Sequence, residues 1–223
     1  MQKVRTALIA GASGLVGGHL LRLLLTSERY SQVISIGRHD LPLIHPKLEQ
    51  QVVDFENIKS YAATLAVDDV FCCLGTTIKK AGSKEIFYKV DHNYVVQLAQ
   101  STAKKGAAQF LVVSAMGADS GSLVFYNKVK GEMERDVQQQ PFNAVHIFRP
   151  SLLLGEREEQ RTGEEFASKV MTPLSKLMIG PLEKYKPIEA ETVANAMLAA
   201  ATLEKPGVNI YPSDKIADLG KAH

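Results

Sequence analysis

The sequence predicts an α/β domain built on an open, doubly wound parallel sheet. Short apolar runs alternate with longer helical patterns, as strands do when helices cover both faces of a parallel sheet. The first apolar run feeds a glycine-rich turn and then a leucine-rich helix. No internal repeat and no linker interrupts the 223 residues, so one domain with a small C-terminal cap is the economical reading.

Val4 to Ala10 reads as a buried first strand and Val16 to Thr26 as the first helix. Val33 to Ile36 and Leu48 to Val53 read as the second and third strands, the latter closed by Asp54. Val70 to Leu74 is a fourth strand ending at Gly75, followed by a helical pattern from Lys84 to Lys105 that Gly106 closes. Phe110 to Val113 is a fifth strand, Ser122 to Gln139 a helix and Val145 to Phe148 a sixth strand. Beyond Pro150 the pattern loosens into a charged stretch, Glu156 to Glu165, and helical runs over Phe166 to Met178 and Glu189 to Thr202. Val208 to Tyr211 would be a last strand at the sheet edge. Residues 151–185 are expected to form a substrate-side lid.

Composition narrows the function classes. The chain is 45% hydrophobic and 22% charged, enough apolar material for a packed core. Its 26 basic and 24 acidic residues give a net charge of +2, which argues against nucleic-acid binding through bulk charge. Two adjacent cysteines, Cys72 and Cys73, have no distant partner. No secretory signal opens the chain and no apolar run reaches the ~18 residues of a membrane span, so a cytoplasmic protein is expected. The six histidines show no ligand spacing, and no metal is expected.

The turn Gly11-Ala12-Ser13-Gly14-Leu15-Val16-Gly17 lies between a buried strand and an apolar helix, where a Rossmann-type domain binds a dinucleotide. Gly11 would permit the tight turn, Gly14 the approach of the pyrophosphate and Gly17 close helix–strand packing. The helix N-terminus adds free N–H groups and a positive dipole end. After the second strand stands Arg38, with no acid at the position that binds a ribose 2′-hydroxyl, so NADP(H) is the expected cofactor. Arg38 also reads as a solvated surface arginine, and Asp40, two residues on, is its rival. Asp54, next to Phe55, faces the adenine or simply caps a turn. Gly75, between Leu74 and Thr76, would let the ribose approach the backbone; Thr76 and Thr77 either reach the nicotinamide or cap the next turn.

Ser114 ends the fifth strand, and Tyr126 and Lys130, four apart, share one face of the following helix. An ammonium there would lower the phenol's pKa and make Tyr126 a proton donor or acceptor near neutral pH. Lys130 could also hold the nicotinamide ribose, and Ser114 could hydrogen-bond a substrate carbonyl.

The glycine turn, Ser114 and the Tyr126–Lys130 pair together resemble the short-chain dehydrogenase/reductase superfamily, in its extended or atypical branch. Phe148-Arg149-Pro150 is similar to that branch's motif before the nicotinamide-side loop. Phe71 to Thr77, Ser114 to Asp119, Val129 to Glu132 and Phe148 to Glu164 resemble, more narrowly, the HIV Tat-interactive protein 2 family. The resemblance implies an NADPH-binding domain and an oxidoreductase-like site lined by Arg149 and Pro150. It implies roles in transcription and nuclear import for mammalian members, which likeness of fold does not carry over. Asp91 stands where the superfamily commonly has an asparagine, with Asn93 nearby. A homodimer through the helices beginning at Lys84 and Ser122 is the superfamily's frequent arrangement.

Other residues have plain explanations. Cys72 and Cys73 read as strand-interior packing. The run Glu156 to Arg161 reads as a solvated face, or Arg157 or Arg161 touches an anionic substrate. The expected function is NADP(H)-dependent reduction of a small-molecule carbonyl at Ser114, Tyr126 and Lys130. A non-catalytic NADP(H)-sensing interaction module is the alternative. A nucleotide-sugar epimerase or dehydratase comes third, because about 70 residues after Pro150 are few for a sugar-nucleotide subdomain.

Overall fold

Strands β1 (Arg5–Ala10), β2 (Tyr30–Gly37), β3 (Leu48–Val52), β4 (Asp69–Cys72), β5 (Gln109–Val113), β6 (Ala144–Arg149) and β9 (Gly207–Pro212) form one sheet. All its pairings are parallel and its order is β3-β2-β1-β4-β5-β6-β9. The first six positions are the order of a dinucleotide-binding Rossmann sheet, with β9 added at the edge. The structure is a computed structural model and describes residues 4–61, 65–155 and 185–221.

Two apolar layers explain why the strands read as continuous apolar runs. Over one face lie α1 (Leu15–Thr26), α6 (Ala190–Leu203) and α7 (Ser213–Gly220), which bury Leu20, Leu24, Met197 and Ile216 with Ile9 and Phe71. Over the other lie α4 (Tyr94–Ala103) and α5 (Phe125–Gln138), which bury Val95, Leu98, Met133 and Val137 with Leu8, Phe110 and Ile147. The short helices α2 (Ile78–Ala81) and α3 (Lys84–Tyr88) follow β4, and a two-residue ladder joins β7 (Leu153–Leu154) to β8 (Ile188–Glu189).

Several elements differ from expectation. Strand β2 begins at Tyr30, three residues early, because Gln32 continues the pairing with Thr6 of β1. Strand β4 stops at Cys72, leaving Leu74 in the following loop. The expected helix from Lys84 is three pieces, with a π turn, Lys89–Asn93, between α3 and α4. Helix α5 starts at Phe125 because the Ser122 hydroxyl accepts the Val124 N–H in a local turn just before it. The 3₁₀ turn over Phe55–Tyr61, the β7–β8 ladder and α7 were not foreseen. The charged stretch with Arg157 and Arg161, the helical run Phe166 to Met178 and most of the expected lid lie outside the described residues.

One polar network crosses the sheet beneath α6. The Tyr211 hydroxyl donates to His146 Nδ1 (3.1 Å), and His146 Nε2–H donates to Gln109 Oε1 (3.2 Å). The Gln109 amide donates to Asp69 Oδ1 (2.9 Å) and to the Ala201 carbonyl (3.1 Å). Asp69 also receives the Tyr30 hydroxyl (2.9 Å) and the guanidiniums of Arg5 and Arg29, which share Glu204 as a second acceptor. Burial pushes the His146 imidazole down to about 4, so it is neutral in this chain of donors.

Candidate functional site

The C-terminal ends of β1, β2, β4, β5 and β6 meet where an open α/β sheet binds ligands. Gly11 has φ +87°, the left-handed conformation that glycine adopts without strain, and a Cβ there would lie 2.5 Å from the Cys73 carbonyl oxygen. A Cβ on Gly17 would lie 2.1 Å from the Gly11 carbonyl oxygen, so the close approach at Gly17 is to the turn itself rather than to a strand. Gly14 is the N-cap of α1, with no side-chain cap bond and no acid in the first turn. Ser13 and Gly14 are exposed, Leu15 is half-buried and Val16 buried. An uncapped helix end with bare glycine before it fits a pyrophosphate, which needs backbone N–H donors and a close approach.

Around this turn the expected cofactor residues divide. Arg38, His39 and Asp40 are all exposed beyond the end of β2. Asp54 takes its capping role, accepting the Glu56 N–H (3.0 Å) and the Asn57 amide (2.7 Å). Phe55 is buried and stacks on Tyr94 at 5.6 Å, while the Tyr94 hydroxyl donates to Glu56 (2.5 Å). Thr77 caps α2 by accepting the Lys80 N–H (3.1 Å). Gly75 is exposed, and a Cβ there would sit 3.4 Å from Asp91 Oδ1 and 3.8 Å from Lys130 Nζ.

That last contact exposes the centre of the site. Lys130 Nζ lies 2.7 Å from Asp91 Oδ1, with the two side chains 5% and 1% exposed. The Thr76 N–H donates to the other carboxylate oxygen at 2.8 Å. Burial works against the Lys130 charge, yet Asp91 and then Tyr126 hold its pKa above the ordinary value. The π turn carries Asp91 into this position; such single-turn bulges recur at functional sites. Tyr126, one turn before Lys130, packs its ring on Phe87 at 5.5 Å.

Ser114 has a partner that the sequence did not suggest. It is buried, and its one hydroxyl proton goes to Glu134 Oε1 (2.5 Å) rather than toward a substrate carbonyl. Glu134 is held in turn by Arg149, with Nε at 3.0 Å and Nη2 at 2.5 Å. Arg149 is therefore braced against α5, and Pro150 beside it accepts the Met116 N–H (2.9 Å), lacing β5 to β6. Neither Glu134 nor the pairing of Asp91 was read from the sequence. The available signal was an acid on the apolar stripe of each helix, which must find a cation. Burial raises both thiols, Cys72 to about 12, as inert packing cysteines require.

With the geometry described, comparison with known proteins gives the family. The profile of the NAD(P)H-binding family matches residues 11–202. The chain is 40% identical to the rat protein HTATIP2 over 224 residues, covering 97% of this chain and 90% of that protein. It is 33% identical to "Protein FMP52, mitochondrial" of Eremothecium gossypii, covering 96% and 97%. Among solved structures it is similar to MoeE5 in complex with UDP-glucuronic acid and NAD, with a TM-score of 0.72, 18% identity and coverage of 92% and 75%. It is also similar to the UDP-glucose 4-epimerase of Thermotoga maritima, with a TM-score of 0.68, 16% identity and coverage of 97% and 81%. At such identities the structural likeness speaks for the fold alone.

Proposed function

The chain belongs to the NAD(P)H-binding family, with the fold of short-chain dehydrogenases/reductases, and from that premise we propose that it is an NADP(H)-dependent reductase of a small carbonyl compound. The observation that carries the reading is the buried Lys130–Asp91 pair under Gly75, one helical turn from Tyr126. A buried ion pair is costly to maintain and is weak evidence for stability alone. Beside an ionisable phenol at the ligand-binding edge of the sheet it has chemical use.

In this reading the N–H groups of Leu15, Val16 and Gly17 hold the pyrophosphate, Gly75 admits the nicotinamide ribose and Arg38 meets the 2′-phosphate. The reduced nicotinamide, when bound, supplies the hydride that reaches the carbonyl carbon. Tyr126 gives its phenolic proton to the carbonyl oxygen as charge builds there, and Lys130 holds the nicotinamide ribose. Ser114 is a positioning residue: through Glu134 it ties β5 to Arg149 and sets the wall of the site. Because the Ser114 hydroxyl is engaged with Glu134, a second reading stands beside the first, in which the cofactor is bound and sensed without turnover. Oxidation of NADPH by the purified protein against aldehydes, ketones and quinones separates them. Turnover that Tyr126→Phe removes supports the reductase; tight NADPH binding with no turnover on the whole panel supports the sensor.

A further inference from the structure

The groups around Tyr126 suggest why its helper lysine is paired. On its own helix stand Lys130, the exposed Lys128 and, farther on, Glu134 paired with the half-buried Arg149; the π turn presents Asp91 and His92, the latter bonded to the half-buried Asp136; α3 presents the uncharged Phe87 ring, the exposed Glu85 and Lys84, whose Nζ lies 5.3 Å from the centre of the neighbouring Phe125 ring. Asp119, in the loop before α5, donates its backbone N–H to the Asn127 carbonyl. The β4–α2 loop contributes Gly75 and the Thr76 N–H, and no charge. Of these charges, Lys130 and Asp91 are the pair shielded from water, so theirs is the field least weakened by solvent.

We propose that Asp91 is a positioning residue that cancels the Lys130 charge at Tyr126 and so keeps the phenol protonated at rest, ready to donate. A lone buried ammonium one turn away would pull the phenol toward phenolate near neutral pH, the form suited to accept a proton from an alcohol. With the carboxylate 2.7 Å from the ammonium, the phenol meets a dipole instead of a net charge. The Thr76 N–H fixes that carboxylate from the other side, so its orientation does not depend on the lysine. This rests on Tyr126 being the proton donor of the proposed reductase.

The test reads the phenol directly and needs no substrate. The full-length protein is titrated while tyrosinate absorbance is followed, and the Tyr126→Phe trace is subtracted to isolate Tyr126. Asp91→Asn keeps an acceptor for the Thr76 N–H but leaves the ammonium uncancelled, and should lower the Tyr126 midpoint by about one to three pH units. Asp91→Asn with Lys130→Met removes both charges, a change that cores often tolerate, and should titrate where the wild type does. An Asp91→Asn midpoint equal to wild type overturns the proposal. So does a double variant titrating a full pH unit above wild type, which would mean that the native lysine acts uncancelled. Should Asp91→Asn not fold, the double variant alone decides. A shifted midpoint in a protein that turns over no carbonyl would leave the cancellation standing and sink the reductase reading. Turnover with unmoved midpoints would do the reverse.

Discussion

Asp69 and Asp91 are both closed off from water, toward opposite ends of the same sheet, and their surroundings differ in kind. Asp69 gathers four donor side chains: Arg5, Arg29, Tyr30 and Gln109. Even so, burial keeps its carboxyl above the ordinary value. Asp91 has one ammonium and one backbone N–H, and above it lies bare glycine. The first arrangement is saturated and belongs to holding strands together. The second leaves room at the surface, where the proposed site lies. In that proposal stability and ligand chemistry fall to separate edges, and variants at one edge should leave the other's property unmoved.

The largest expected effect is at the open edge. Gly14→Val should abolish NADPH binding in a fluorescence titration while the protein stays folded. Its Cβ would meet only the Gly11 carbonyl oxygen, at 3.2 Å, but would fill the space that the pyrophosphate needs. Unchanged affinity in a folded variant would break the comparison there. At the saturated edge, Asp69→Ala takes the acceptor from the buried Tyr30 hydroxyl and one Gln109 N–H, and leaves Arg5 and Arg29 with Glu204 alone as their carboxylate partner. It should cost about 3–5 kcal/mol in urea unfolding with no change in NADPH affinity. A similar loss of cofactor binding in the folded protein would show that the two edges are coupled.

Two smaller effects sharpen the contrast. His146 is neutral when folded and takes up its proton at about 4, against 6.5 ordinarily, so between those values the unfolded chain binds more protons. Stability from this group is full above pH 6.5 and lost as pH falls toward 4, by about 3 kcal/mol. His146→Gln should flatten that slope in unfolding experiments across the same range. Arg38→Ala should weaken NADPH binding roughly 10- to 150-fold, the worth of charge-assisted bonds to a 2′-phosphate, and leave NADH nearly untouched. Tighter NADH than NADPH binding by the wild type would instead favour Asp40 as the residue facing the ribose.

The saturated edge and the open edge were not equally legible. Strands show in the sequence because a sheet covered on both faces makes each strand an unbroken apolar run, and the glycine turn shows because only glycine fits at Gly11 and Gly17. The order along the chain, the edge position of the last strand and the place of Tyr126 and Lys130 on one helix all followed. The π turn did not, since one extra residue in a helix hardly disturbs a 3.6-residue pattern. The pairing of Asp91 and the part played by Glu134 were missed for a related reason: each sits on an apolar stripe, and its partner is distant in sequence. Lys130 is 39 residues from Asp91, as far as Gln109 or Tyr30 is, roughly, from Asp69. Pairing over such distances is a property of topology, which spacing within one element does not reveal.

The donor chain from Tyr211 through His146 and Gln109 to Asp69, with Tyr30 arriving from the far side, draws one side chain from each of five strands: β9, β6, β5, β4 and β2. Each link is polarised and runs toward the carboxylate. Slipping any one strand by a single residue turns its member to the opposite face and leaves a buried donor or acceptor facing hydrocarbon. The network therefore acts as a checksum on alignment. Apolar runs rich in valine and leucine would pack almost as well one notch out of place, and the five polar letters among them are readable in one frame.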